Sequence, residues 1–337
     1  MKKLRRLYTI GVVITIAVVL LLVINQQKKS VPEAPQATEE ISQEPIIAKE
    51  QPPELIYIPD TYNQRIQVFD KEGNFLSAFG DYGRENGFFR MPIDVFKKDN
   101  SIYVLDKGNN RIQVFDTNFT FLFSFGESQL KYPLGFDVWN DTIYVANTYK
   151  YKIDTFTIDG NYRFSFGAKG KKEGQLRYPS DIAIDEQYVY VLDTDNNRIQ
   201  KFTHNGDFVM LWGAYSHSPM GFRFPMGIEI YNDTLYVSDT QNSQIKMYDT
   251  QGNFLKNFGT FGKGEEQFRF ESKIWEVDGL LYIADTKNHR IKSYYPNGTL
   301  HNLFGKYGRD EGEFRAPGTI RSFGKGIIDA NTTNTSA

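Results

Sequence analysis

Residues 106–112 read Asp-Lys-Gly-Asn-Asn-Arg-Ile, and versions of this pattern occur at five other places in the chain. The other copies begin at Asp60, Asn147, Asp193, Asp239 and Asp285. Successive copies start 46, 41, 46, 46 and 46 residues apart, and the one short interval comes from a shorter loop before Pro133. Self-similarity at a nearly constant period indicates a repeat architecture.

Each repeat contains four short runs of residues that favour strands. In the second repeat, residues 102–105 (Ile-Tyr-Val-Leu) precede the pattern and residues 112–115 (Ile-Gln-Val-Phe) complete it. A third run follows a proline, and a fourth ends in Phe-Gly or Trp-Gly. Turns such as Asp159-Gly-Asn suit hairpins, because Gly and Asn adopt positive φ. Units of about 40–50 residues with four strands predict the blades of an all-β propeller.

The two ends of the array predict that the ring of blades is closed. The first repeat begins at its second strand, at Leu55, and lacks a proline-led strand. The chain ends with a proline-led strand after Pro317 that has no repeat of its own. We therefore expect a six-bladed propeller over residues 55–330, closed by a strand near residues 317–323, and a tail over residues 331–337. Closure leaves no large exposed sheet edge.

Pro-x-Gly-Ile, Ile-Tyr-Val-x-Asp, Asn-x-Arg-Ile-Gln-x-Phe-Asp, Gly-Asn-Phe and Phe-Gly together resemble the NHL repeat over about residues 55–322. The resemblance implies a six-bladed NHL propeller that serves as a platform for ligands or partners. It does not define the function, because propellers host unrelated activities. The repeats depart from the pattern at four positions: Asn147 for Asp, Lys152 and Gln244 for Arg, and Glu271 for proline.

Residues 7–24 are 18 residues without a charge and predict a transmembrane anchor, since a helix of that length spans about 27 Å. Four basic residues precede the segment and two follow it, so we expect residues 1–6 in the cytoplasm and the propeller outside it. A cleaved signal peptide is the alternative. Residues 25–54, with five prolines and six glutamates, predict a flexible linker.

The composition limits the partners and the chemistry. The chain has a net charge of −2 and no cysteine. Disulfides, thiolate metal sites, cysteine nucleophiles and a bacterial lipoprotein anchor are therefore excluded. No nucleic-acid partner is expected, because the basic excess of such proteins is missing.

One set of basic residues recurs two positions before each repeat proline, or before the Glu that replaces it. Its members are Arg90, Lys131, Arg177, Arg223, Arg269 and Arg315. We expect them on the face that carries the between-blade loops, where they form a ring for an anionic ligand. The alternative is that they form salt bridges with the aspartates of the recurring pattern.

A second polar set follows the repeat prolines by two or four residues, in the strands that are expected to line the axis. Its members are Asp94, Asp137, Asp181, Glu229, Lys273 and Arg321. Four carboxylates on neighbouring blades suit Ca²⁺, which prefers oxygen ligands. The alternative is that the acids pair with the two bases across the channel or face water.

The sequence favours a binding module over an enzyme. Propeller lyases that use zinc need several converging histidines, and the repeat positions place His204 and His217 on opposite faces. We expect a membrane-anchored, extracytoplasmic module without a cofactor that binds a protein, peptide or cell-envelope polymer on its loop face. The alternative function is a Ca²⁺-dependent hydrolase or lactonase-like enzyme with carboxylates at the axis. Exposed aromatics in the between-blade loops are candidate contacts: Tyr82, Tyr215, Phe261 and Tyr307.

Overall fold

The computed structural model describes residues 55–318 and 321–323. Regular structure in these residues consists of strands and four one-turn 3₁₀ helices. Alternating β-branched and aromatic residues form the strands, and Gly or Asn at positive φ forms many of the turns between them. The result is six four-stranded antiparallel sheets, numbered here as blades 1 to 6 in chain order.

The strands of each blade are given from the axis outward. Blade 1 has Arg321–Phe323, Leu55–Asp60, Arg65–Phe69 and Phe75–Phe79, and blade 2 has Pro92–Lys98, Ser101–Asp106, Arg111–Asp116 and Phe121–Phe125. Blade 3 has Gly135–Trp139, Thr142–Asn147, Lys152–Thr157 and Tyr162–Phe166, and blade 4 has Pro179–Ile184, Tyr188–Asp193, Arg198–Thr203 and Phe208–Trp212. Blade 5 has Gly227–Tyr231, Thr234–Asp239, Gln244–Asp249 and Phe254–Phe258, and blade 6 has Glu271–Val277, Leu280–Asp285, Arg290–Tyr294 and Leu300–Phe304.

The loops between the blades carry short parallel ribbons, and four second-to-third-strand turns carry the 3₁₀ helices. The ribbons are Ala168–Lys169 with Gln175–Leu176, Thr260–Phe261 with Gln267–Phe268, and Lys306–Tyr307 with Glu313–Phe314. The 3₁₀ helices are Lys107–Asn109, Thr148–Lys150, Thr194–Asn196 and Thr286–Asn288.

The ring closes through both ends of the repeat array. Arg321–Phe323 pairs antiparallel with Leu55–Asp60, with Leu55 opposite Phe323 and Tyr57 opposite Arg321. Each innermost strand contacts the innermost strands of both neighbouring blades, and the cycle is complete from blade 6 through blade 1 to blade 2. The prediction of an all-β, six-bladed propeller is confirmed.

The core consists of six hydrophobic clusters, one at each junction between adjacent blades. An aromatic ring on the third strand of one blade packs against a ring on the fourth strand of the preceding blade. Phe202 and Phe166 lie 5.0 Å apart by ring centroids, and Tyr294 and Phe258 lie 4.9 Å apart. Burial of each such ring stabilises the fold by about 1.5–3 kcal/mol, so these aromatics hold neighbouring blades together.

The predicted cytoplasmic tail (1–6), anchor (7–24) and linker (25–54) lie outside the described residues, as does the tail at 331–337. In the part of the chain that the structure describes, no helix has the length and hydropathy needed to cross a bilayer.

Candidate functional site

One face of the propeller carries both the second-to-third-strand turns and the between-blade loops, and we call it the loop face. Hydrogen bonds tie each turn to the loop that leads into its blade. Asn109 donates to the carbonyl of Gly83, and Asn196 donates to the carbonyl of Gly170. Because the same contact recurs around the ring, the loops have a defined position above the blades.

The aspartate that begins five of the six turns organises this contact, and Asn147 takes its place in blade 3. In blade 4, Oδ1 of Asp193 accepts a hydrogen bond from the main-chain amide of Arg177 at 2.6 Å. Its Oδ2 accepts from Nε of Arg198 at 2.8 Å, and the same guanidinium donates to the carbonyl of Gln175. Burial raises the pKa of Asp193 above its ordinary value, and these hydrogen bonds oppose the rise. The recurring Asp and Arg are therefore structural residues of the blade.

The basic set lies on the loop face as expected, but it interacts with the turns through its main chain. The amides of Arg90, Lys131, Arg177, Arg223, Arg269 and Arg315 donate to the side chains of Asp106, Asn147, Asp193, Asp239, Asp285 and Asp60, respectively. Within the described residues none of the six side chains has an ion pair. The aspartates pair instead with Arg65, Arg111, Arg198, Lys246, Arg290 and Lys292. The salt-bridge alternative is therefore wrong.

The residue after each base adopts a left-handed conformation, with φ between 50 and 59°. The six residues are Met91, Tyr132, Tyr178, Phe224, Phe270 and Ala316. This conformation costs about 1–3 kcal/mol for a residue other than Gly. It is held in part by the preceding blade, since Asn110 and Asn197 accept hydrogen bonds from the amides of Tyr132 and Phe224.

Four aromatic side chains form an arc across blades 3 to 5 on the loop face, and we call it the aromatic arc. Tyr132 stacks on Tyr149 with ring centroids 4.4 Å apart, and Tyr178 lies 6.1 Å from Tyr149 on one side and from Phe224 on the other. Burial raises the pKa of Tyr178 to about 12. This arc was not predicted from the sequence, although the aromatics directly before three repeat prolines, Tyr132, Tyr178 and Phe224, were a signal for it.

A pocket of about 310 Å³ opens on the loop face beside the turn of blade 2. Arg84, Arg90 and Arg111 contribute its positive charge, and Glu127 contributes a negative one. Glu127 belongs to the short loop between blades 2 and 3. That loop runs 7 residues from Gly126 to the repeat proline, against 12 in the loop after Gly80.

The axial polar set divides into two groups. Asp94, Asp181 and Lys273, from blades 2, 4 and 6, meet in a buried cluster in which Lys273 pairs with both carboxylates. Main-chain amides of blades 3 and 5 also bind this cluster: the amide of Phe136 donates to Asp94, and the amide of Ile228 donates to Asp181. Burial raises the pKa of Asp181, and the Lys273 ammonium opposes that rise. The second interpretation of the sequence, pairing across the channel, thus applies to these three residues.

Gly135 shows why blades 3 and 5 lack a side chain at this level. A Cβ at Gly135 would collide with the carboxylate of Asp181 and lie 2.6 Å from Nζ of Lys273. The Gly at the same repeat position in blade 5, Gly227, would bring a Cβ to 2.8 Å from the Cα of Lys273. The close packing of the axial cluster therefore requires glycine at both positions.

The remaining members of the axial set lie outside this cluster. Asp137 and Glu229 are half-buried, and each accepts a hydrogen bond from the amide of the next residue. Arg321 belongs to the strand that closes the ring. Over residues 55–318 and 321–323, no three His, Cys, Asp or Glu side chains lie close enough together to hold one metal ion.

The family model of the NHL repeat matches residues 92–115 and 176–202, which lie in blades 2 and 4. The chain contains NHL repeats. No curated protein matches this NHL propeller in sequence.

Solved structures share the fold at low sequence identity. A structure of a nidogen/laminin complex matches with a TM-score of 0.63 and 15% identity, covering 80% of this chain and 98% of the other. A catalytically inactive virginiamycin B lyase from Staphylococcus aureus, crystallised with quinupristin, matches with a TM-score of 0.52 and 15% identity, covering 73% and 78%. At this identity the two structures establish the fold of the NHL propeller and do not define its activity.

The four histidines of the NHL propeller occupy separate environments. His204 stacks against Trp139, His289 accepts a hydrogen bond from the amide of Ala316, and His301 contacts Ser293. His217 lies in the exposed loop between blades 4 and 5. Among the described residues, the four histidines therefore do not form a shared metal site.

Proposed function

We propose that the NHL propeller is a binding module that engages a protein partner through its loop face. The observation that carries this proposal is the ring of six basic side chains that have no ion pair within the described residues, while the turn aspartates beside them are paired elsewhere. Unpaired charge on a surface is available to a ligand, and complementary charge increases both specificity and the rate of encounter.

The exposed aromatics of the between-blade loops support the same surface. Tyr82, Tyr215, Phe261 and Tyr307 are each more than 60% exposed. The guanidinium groups of Arg90 and Arg223 lie 5.8 and 5.7 Å from the ring centres of Tyr82 and Tyr215. Aromatic and Arg side chains are enriched in protein interfaces. The nidogen/laminin structure offers an example of this fold in a complex between proteins.

We also propose that residues 7–24 anchor the chain and place the propeller outside the cytoplasm. The support is the uncharged length of that segment and the excess of basic residues before it. Residues 25–54 then act as a tether of about 30 Å between the membrane and the propeller.

The test is capture of partners by the immobilised full-length chain. Reversal of two charges, Arg177→Glu with Arg223→Glu, is expected to abolish capture of proteins that the unaltered chain retains, and capture by the unaltered chain should weaken as salt rises. Lys71→Glu with Lys256→Glu is the matched control, because both lysines are exposed and lie away from the loop face. Identical capture by the two double variants would refute the proposal.

A further inference from the structure

Positive charge on the loop face is concentrated in one of the long between-blade loops. Residues 167–178, between blades 3 and 4, carry four bases and one acid, a net charge of +3 (4 − 1). The loops at residues 80–91, 259–270 and 305–316 carry equal numbers of bases and acids. The ring of bases is thus symmetric, but the total charge of the loop face is not.

Further bases from blade 3 extend this loop into a surface that we call the basic patch. Its members are Lys131, Lys150, Lys169, Lys171, Lys172 and Arg177, with Tyr132, Tyr149 and Tyr178. The side chains of the six bases have no ion pair in the part of the chain that the structure describes. Two acids, Glu127 and Glu173, lie in the same loops, and Asp195 lies in the adjoining turn of blade 4, so the patch keeps an excess of positive charge.

Short contacts join the bases and the aromatic arc into one surface. The Lys169 ammonium lies 4.7 Å from the ring centre of Tyr151, which follows Lys150 in the chain. The amide of Tyr149 donates to the carbonyl of Lys131. The carbonyls of Lys171 and Lys172 accept hydrogen bonds from Arg198, so the loop main chain is held in place while its side chains remain exposed.

The tyrosine rings of the patch contact one another and a neighbouring base. Tyr132 is stacked against Tyr149, and the Lys107 ammonium lies 4.2 Å from its ring centre. Binding of nucleobases relies on free aromatic faces, and the ring of Tyr132 already packs against Tyr149 and the Lys107 ammonium. The hydroxyls of Tyr132, Tyr149 and Tyr178 have no hydrogen-bond partner among the described residues. Ammonium, guanidinium and hydroxyl donors together suit carboxylates.

We propose that the basic patch binds an acidic peptide segment of a partner protein, with Lys and Arg pairing its carboxylates and the tyrosine hydroxyls donating to them. This inference rests on the proposed function and adds where on the loop face the partner binds and which of its residues are recognised. Charge complementarity selects an acidic segment, and the packing of Tyr132 against Tyr149 and Lys107 disfavours stacking of a nucleobase on that ring.

The probe is a fluorescein-labelled decaglutamate peptide, titrated with the full-length chain in detergent and followed by fluorescence polarisation. Lys169→Glu, Lys171→Glu and Lys172→Glu together are expected to weaken binding about ten-fold or more. The matched control is Lys263→Glu, Lys287→Glu and Arg309→Glu, three exposed bases elsewhere on the loop face, which should change binding less than about two-fold. Tyr178→Phe, which removes only the hydroxyl, should weaken binding about three-fold.

Equal losses in the two triple variants would overturn the proposal, because they would show a dependence on net charge alone. Tighter binding of oligothymidylate or polygalacturonate than of decaglutamate would also overturn it in favour of another polyanion. If the patch triple leaves decaglutamate binding intact while Arg177→Glu with Arg223→Glu still abolishes partner capture, only this inference fails. Unchanged capture by that double variant would instead refute the proposed function.

Discussion

Among the described residues, Glu271 shows a clear conflict between burial and charge. It occupies the repeat-proline position of blade 6 and is fully buried. Burial raises its pKa well above the ordinary value of 4.5, and the neighbouring Asp285 and Asp239 raise it further. The folded chain therefore binds a proton at Glu271 that the unfolded chain releases as the pH rises above about 4.5. Stability from this residue is present at low pH and is lost as the pH rises towards the folded-state pKa.

Glu271→Gln removes the ionisable group and should reduce this pH dependence. The free energy of unfolding of the unaltered chain should fall relative to the variant between pH 5 and pH 8, by at most about 1.4 kcal/mol per pH unit. Urea unfolding at both pH values measures the difference. Glu265→Gln, in an exposed loop, is the control and should show no such trend. A constant difference between Glu271→Gln and the unaltered chain at both pH values would contradict this account.

At the scale of the element, the contacts within blade 3 account for its two departures from the repeat pattern, Asn147 and Lys152. In blades 1, 2, 4 and 6 the turn aspartate accepts a hydrogen bond from a main-chain amide of the long preceding loop, and the turn arginine donates to carbonyls of that loop. Asp193 and Arg198 make these contacts in blade 4. The loop before blade 3 is shorter, and its turn has Asn147 instead of Asp. The Asn147 amide group donates to Asp154 and to the carbonyl of Gln129, and Asp154 pairs with Lys152 at 2.9 Å.

Asn147→Asp would restore the repeat consensus but should destabilise the propeller. The new carboxylate would face the buried carboxylate of Asp154 and lose a donor to Gln129, at a cost of about 2–4 kcal/mol. Asp154→Gln supplies the residue found at this position in blades 1, 2 and 4 and should recover part of the loss in the double variant. Thermal unfolding of the two single variants and the double variant measures the coupling. Additive effects would show that the two side chains do not interact in this way.

At the scale of the whole molecule, the ring depends on the pairing of its two ends. Arg321–Phe323 supplies the innermost strand of blade 1, and Phe314 packs against Phe69 at 5.6 Å between ring centroids. Without these residues the inner edge of Leu55–Asp60 is unpaired, and the junction of blades 6 and 1 loses a buried aromatic ring. Unpaired strand edges also promote association with other chains.

A chain that ends at Glu313 should therefore unfold at a lower temperature than the full chain, by about 10 °C or more. A chain that ends at Lys325 keeps the closing strand and serves as the control, with an expected midpoint close to that of the full chain. Thermal unfolding followed by near-ultraviolet circular dichroism measures both. Equal midpoints for the two shortened chains would mean that closure of the ring does not stabilise the fold.

The repeat period predicted which face of the propeller carries the basic set. The contacts of its members became known only from the three-dimensional structure. The sequence placed Arg90 and its five counterparts on one face, because equivalent repeat positions have equivalent places in the ring. It did not show that their main-chain amides bind the turn aspartates, since an aspartate accepts hydrogen bonds from side chains and amides alike. Nor did it show that Asp94, Asp181 and Lys273 meet, because these residues come from strands about 90 residues apart.

The sequence by itself determined the number of blades, their four-stranded form and the strand that closes the ring, because each follows from a local pattern repeated at a nearly constant interval. Only the tertiary structure decided which charges remain free. Lys273 is neutralised by carboxylates from blades 2 and 4, whereas Lys169 and Arg177 have no ion pair among the described residues. The reason is physical: an ion pair depends on a separation of a few ångströms between two chain segments, which their spacing along the sequence does not specify.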